Sequence, residues 1–192
     1  DLVSSRGLGD VYKRQAKSED TWTDVDLGMW YLEFNPNLMF NTNHKFSSKD
    51  DGTFFHYNKK NGLWTGDKGS HILKKDLATK FKTYVKRKWW NKINEADDSD
   101  QKKTLIAQKN LLNRKLGDFR NIKMIIESLK TLCIEEVELD SNPWYFVTNN
   151  KVFDLLKCQI IIPRKDEWIT NLRQANFDIL EFDQEKNDYI HN

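Results

Sequence analysis

The 192-residue chain fits one domain of ordinary size, with 38% hydrophobic, 31% charged and 12% aromatic residues and a formal net charge of +2. That much apolar side chain excludes wholesale disorder, no stretch approaches the roughly 18 uninterrupted apolar residues of a membrane span, and no signal segment opens the chain. Two cysteines, Cys133 and Cys158, without Cys-x-x-Cys or paired histidines, do not indicate a disulfide framework or a zinc knuckle; both are expected to be buried free thiols in a reducing, intracellular setting.

Asp1 to Gln15 show no initiator Met and no usable periodicity, and they resemble translated sequencing-adapter read-through. They are expected to be a non-native, disordered tail, in which Gly7-x-Gly9 has no meaning as a phosphate loop. Residues 16–50 read as an irregular lead-in, the pattern from Trp22 to Trp64 being β-like or irregular and rich in aromatics and Asn. Within it, Phe54-Phe55-His56-Tyr57, then Asn58 to Gly62, then Leu63-Trp64 predict a hairpin, because Asn-Gly supplies the positive φ of a tight turn between aromatic flanks.

Three helices follow. Ser70 is expected to cap the first, in which Leu73, Leu77, Phe81, Tyr84 and Val85 recur at helical spacing up to Trp89-Trp90, until Asn94 to Asp100 breaks it. The second runs from about Gln101 to Leu116, with Leu105, Ile106, Leu112 and Leu116 inward and Gly117 at C′. Asp118 caps the third, where Phe119, Ile122, Ile125, Ile126, Leu129 and Leu132 form one stripe. After Pro143, Trp144 to Val147, a turn at Asn149-Asn150 and Val152 to Leu155 predict a second hairpin, and Ile160-Ile161-Ile162 is strand-sized. The charged tail beyond Asp183 reads as the start of a further helix.

Three chemistries are weighed against these elements. Thr65-Gly66-Asp67-Lys68-Gly69-Ser70 misses the P-loop pattern, since its Lys precedes the second Gly, and it reads as a turn before a helix. Asp24-x-Asp26 would put two carboxylates on one face of a strand, as a magnesium-dependent nucleotidyl-transfer site requires, but the motif is short and common. His44, His56, His71 and His191 are isolated, and His56 reads as a strand residue, so no catalytic residue and no metal ligand is assigned. The strongest signal is charge. From Lys68 to Lys92 nine basic residues face one acid, Asp76, a local charge of +8, while the last stretch is acidic. Lys74, Lys75, Lys82, Lys86, Arg87 and Lys88 are the candidate phosphate contacts, with Trp89 or Trp90 as a stacking surface; the plain alternative is a solvated helix face.

The order of these pieces also carries a resemblance. The hairpin from Phe54 to Trp64, the basic helix, the Gly117-Asp118-Phe119 junction, Leu139-Asp140-Ser141-Asn142-Pro143, Asn149-Asn150-Lys151-Val152-Phe153-Asp154-Leu155 and Asp166-Glu167-Trp168-Ile169-Thr170 together resemble the domain N-terminal to the superfamily-three helicase in poxvirus-type and phage or plasmid primase-helicases. The likeness covers roughly Gly52 to Asn171; Lys151 stands where the family usually has Gly, and Phe153 where it has Tyr. The resemblance implies a DNA-replication protein in which a primase often lies upstream and an ATP-driven, hexameric helicase downstream. No cofactor is implied for this chain; ATP and magnesium are expected in the downstream helicase.

The expectation is therefore an α+β fold, about three helices flanked by β-hairpins: a non-native tail at 1–15, a lead-in at 16–50, the accessory domain at 51–171, and at 172–192 a linker toward the ATPase. The expected role is a non-catalytic accessory or collar domain with weak, non-specific DNA contact, adjoining primase and helicase domains, and homo-oligomerisation. A purely structural module without DNA contact, and a primase remnant using Asp24 and Asp26, are the alternatives.

Overall fold

The computed structural model describes residues 22–148 and 151–171. The expectations for residues 1–21, for the turn at Asn149-Asn150 and for the tail from residue 172 lie outside the described residues. The architecture is α+β, in two compact units. One unit takes the chain up to Phe34 together with Leu73–Leu132; the other takes Asn35–Ile72 with the chain from Cys133.

The first unit is helical: α1 (Asp24–Phe34), most of α2 (His71–Asp76), a π-helical turn (Leu77–Phe81), α3 (Lys82–Glu95), α4 (Ser99–Lys115) and α5 (Phe119–Leu132). Helix α1 corrects the expectation of a β-like or irregular start. Its signal is Thr23-x-x-Asp26: the Asp26 amide donates to Thr23 Oγ1 (3.1 Å), while the Asp26 carboxylate accepts from the Thr23 amide (3.0 Å) and hydroxyl (2.6 Å). This reciprocal pair satisfies amides that the first helical turn leaves without partners. Helix α1 lies on α5, where Gly28 is needed: a Cβ there would stand 2.9 Å from Leu132 Cδ1.

The run from α2 to α3 buries Leu73, Leu77, Phe81, Val85, Trp89 and Ile93, all at four-residue spacing. On an ideal α-helix each such step drifts by roughly 40°. The wider π turn at Leu77–Phe81 takes up part of that drift, so one face keeps to the core for six repeats. Asp98 caps α4, accepting from the Asp100 and Gln101 amides, and Asp118 caps α5 through the Arg120 amide (2.8 Å). Helix α5 buries Ile122, Ile125, Ile126 and Leu129 as expected, but Phe119 is 67% exposed, and on α4 Ile106 is also exposed. Each sits just off the buried row, Phe119 at the first position of its helix and Ile106 beside half-buried Leu105.

The second unit holds two antiparallel three-stranded sheets, β1 (Leu38–Asn41), β2 (Thr53–Asn58), β3 (Leu63–Asp67) and β4 (Tyr145–Val147), β5 (Val152–Asp154), β6 (Gln159–Ile161). Both expected hairpins are present, with Asn58 opposite Leu63 and Val147 opposite Val152. Gly62 has φ +72°, and a Cβ there would collide with the Pro163 carbonyl oxygen. His56 lies on β2, as read from sequence, with Nε2 3.3 Å from Asp67 Oδ2. Asp67, not Ser70, serves the start of α2: the Ile72 amide donates to its Oδ1 (2.9 Å), while Ser70 itself has φ +56°. Thr65 to Ser70 is the end of β3 and one 3-10 turn, the turn-before-helix reading of that segment.

The packing of the C-terminal pieces has a local physical reason. Asp140, with φ +54°, accepts from the Thr170 amide (2.7 Å) and hydroxyl (2.5 Å), which seats residues 169–171 beside Trp64 of β3. Trp168 stacks on Trp64 at 5.3 Å, and Met39, Phe55 and Trp64 form the core beneath. Cys133 is half-buried, and burial, reinforced by Glu135, pushes its thiol up to about 12. Cys158 is exposed, which corrects the expectation of a buried thiol: it occupies the turn between β5 and β6 with φ +51°.

Candidate nucleic-acid interface

The candidate residues gather on α3 within the helical unit. Because residues one and two apart on a helix do not face each other, Lys86, Arg87 and Lys88 fan across its outer surface, and all three are exposed. Two rows at four-residue spacing flank them. Lys82, Lys86 and Trp90 form one; Tyr84, Lys88 and Lys92 form the other, with Lys88 Nζ 5.7 Å from the Tyr84 ring centroid and Lys92 Nζ 5.0 Å from that of Trp89. Lys75 is exposed and Lys74 half-buried on α2, on the other side of the π turn, and Lys82 is half-buried beside Gly117. Lys80 is paired with Asp76 (2.7 Å), whose other carboxylate oxygen accepts from the Tyr31 hydroxyl (2.9 Å).

The adjacent tryptophans divide sharply. Trp89 is 4% exposed, edge-on to Trp22 with centroids 6.3 Å apart, so its ring belongs to the core and cannot stack on a base. Trp90 is 56% exposed. Helix α4, antiparallel and packed on α3, brings Lys109 Nζ to 5.2 Å from the Trp90 ring centroid. Lys109 was not among the residues expected here; its place depends on the pairing of two helices, for which the sequence has no local signal.

The carboxylates of the Asp-x-Asp motif do not form a shared site. They stand two residues apart in a helical first turn, where Asp26 is held by Thr23 and Asp24 lies 3.5 Å from Lys115 Nζ. Among the described residues no three His, Cys, Asp or Glu side chains converge as metal ligands would, and no helix is long and apolar enough to cross a membrane.

The second unit carries a different surface. Strand alternation puts Trp144, Phe146, Phe153, Leu155, Ile160 and Ile162 on one face of the β4–β6 sheet, with Phe146, Phe153 and Ile160 in one cross-strand row. Trp144, Leu155, Ile160 and Ile162 are each at least half exposed, while the opposite face packs Val147 and Val152 against Leu63 and Ile169.

A family model described as D5 N terminal like matches residues 40–188 of the chain. No curated protein matches it.

Proposed function

The chain belongs to the D5 N terminal like family, the domain that precedes the superfamily-three helicase in primase-helicase proteins, and from that premise we propose that it is a non-catalytic accessory domain that holds nucleic-acid phosphates beside the domains that do the chemistry. The observation that carries this reading is the exposed fan of Lys86, Arg87 and Lys88 with Lys82 and Lys109 at its edge. Ammonium and guanidinium groups set out along a helix neutralise phosphates and release condensed counterions, which gives weak, sequence-independent affinity that falls steeply with salt. Lys75 extends the same charge toward the start of the helical run. ATP and magnesium belong, on this reading, to the adjoining helicase, whose ring this domain would collar.

Fluorescence anisotropy of a labelled 30-mer tests it. The expected result is binding at 50 mM salt that weakens linearly in log–log form, and a Lys86→Glu/Arg87→Glu variant whose slope is shallower by about two. Absence of binding by the unaltered chain at 20 mM salt removes the nucleic-acid reading.

The outer face of the β4–β6 sheet favours a second role in the same protein. Several half-exposed apolar side chains in register are a common mark of a protein-binding surface. The occupant consistent with the family is the adjoining helicase domain, so the two units would divide the work, one meeting nucleic acid and the other the ring.

A further inference from the structure

We infer that the strand taken by the α3–α4 face is unpaired, with a base stacked on Trp90, an inference that rests on the phosphate-binding reading above. An indole 56% open to solvent at the end of a basic row is not needed to fill the core: its neighbour Trp89 already holds the core position at this level of the helix. What surrounds Trp90 is cationic. Lys86 stands one turn before it on the same row, Arg87 lies three residues before it, and Lys109 lies over the ring from α4 at 5.2 Å. The row Lys82–Lys86–Trp90 is roughly 12 Å long at 1.5 Å per residue. It therefore offers two ammonium groups and then one aromatic face in line, the order in which a strand presents successive phosphates and a base turned out from them.

A duplex cannot use the last of these. Its base faces are already stacked on one another, and a side chain reaches them only by wedging a step open. An unpaired base has a free face and stacks on an aromatic ring whatever its identity. The lysine over the ring adds to the fit, since a cation on an indole is attracted by the same electron density a base covers and has a phosphate to move to once the base arrives.

The test compares labelled dT20 with a 20-base-pair hairpin by anisotropy at 50 mM salt, using the whole chain and three variants: Trp90→Ala, Trp90→Phe and Lys86→Glu/Arg87→Glu. The expected result is a preference for dT20, a loss on the order of tenfold for that strand in Trp90→Ala, recovery of most of it in Trp90→Phe, and no change for the hairpin in either. The charge-reversed variant should weaken both. If Trp90→Ala binds dT20 within twofold of the unaltered chain, or loses the hairpin equally, the stacking inference is overturned while the phosphate reading stands. If the unaltered chain binds neither probe, the phosphate reading itself fails.

Discussion

Replacing the adjacent tryptophans of α3 one at a time tests the rotation of the helix on which the interface depends. Trp89 is 4% exposed, edge-on to Trp22 and covered by the Lys92 ammonium. Cutting such a side chain back to alanine removes its burial and leaves a cavity, a loss of about 3–5 kcal/mol. Trp90 is 56% exposed and touches the cation of Lys109, so Trp90→Ala loses less than half a ring's burial and one surface cation–π contact, about 1 kcal/mol. Urea denaturation followed by far-ultraviolet circular dichroism separates the two. With a slope of roughly 2 kcal/mol per molar urea, Trp89→Ala should lower the midpoint by about 2 M and Trp90→Ala by about 0.5 M or less. Equal midpoints, or a larger fall for Trp90→Ala, would mean that α3 presents the other edge, and both the stacking surface and the row Lys82–Lys86 would be misassigned.

Two further outcomes concern the second unit. Asp154 is buried at the end of β5; burial raises its pKa, but the amides of Lys157 and Leu156 and the Lys157 ammonium at 3.3 Å together hold it below the ordinary carboxylate value. A carboxylate depressed in the folded state contributes stability above its unfolded pKa of about 3.9 that is lost as pH falls through the folded value. Asp154→Asn should therefore be less stable at pH 7 and flatter in stability between pH 4 and pH 2; parallel profiles for the two proteins in urea titrations would contradict this. On the outer face of the β4–β6 sheet, Ile160→Asp and Phe153→Asp should leave dT20 binding unchanged but reduce association with a superfamily-three helicase domain, the occupant proposed for that face, read by light scattering of the two mixed. Unaltered association in both variants would set that surface aside.

What could be read from the residues, and what could not, follows from where each signal lies. The turn at Asn58–Gly62 is legible because the positive φ needed there is a property of one residue, and α5 because four buried residues recur at the helical period. Helix α1 has little contrast between faces because apolar residues fall on several sides of it: Leu27 and Tyr31 are buried, Met29 and Leu32 are half-buried, and Val25 is exposed. Its cap, Thr23 with Asp26, was there to be seen but competed with a metal-binding reading of the same aspartates. The choice between Trp89 and Trp90 was only partly legible, since the row Leu73, Leu77, Phe81, Val85 runs on to Trp89 only if its four-residue spacing holds. Neighbours on a helix point about 100° apart, so only one can face the core, and which one is set by the π turn two turns earlier, a feature with no residue pattern of its own.

The same contacts explain why a chain with a net charge of only +2 can present a strongly basic face. Its carboxylates are drawn into the fold as acceptors: Asp26, Asp67, Asp98, Asp118, Asp140 and Asp154 each accept at least one backbone amide. A carboxylate held by amide dipoles at a helix start or a turn has part of its charge compensated locally and projects less field into solvent. Lys86, Arg87 and Lys88 of α3 are exposed, because a long cationic side chain keeps its stem on the helix and its head in water. Counting charges by sign therefore understates what a polyanion meets at this surface. Part of the arrangement, six aspartates turned to backbone amides, arises from ordinary capping and turn chemistry before any ligand is involved, while Glu95, Asp97 and Asp100 around the end of α3 stay exposed.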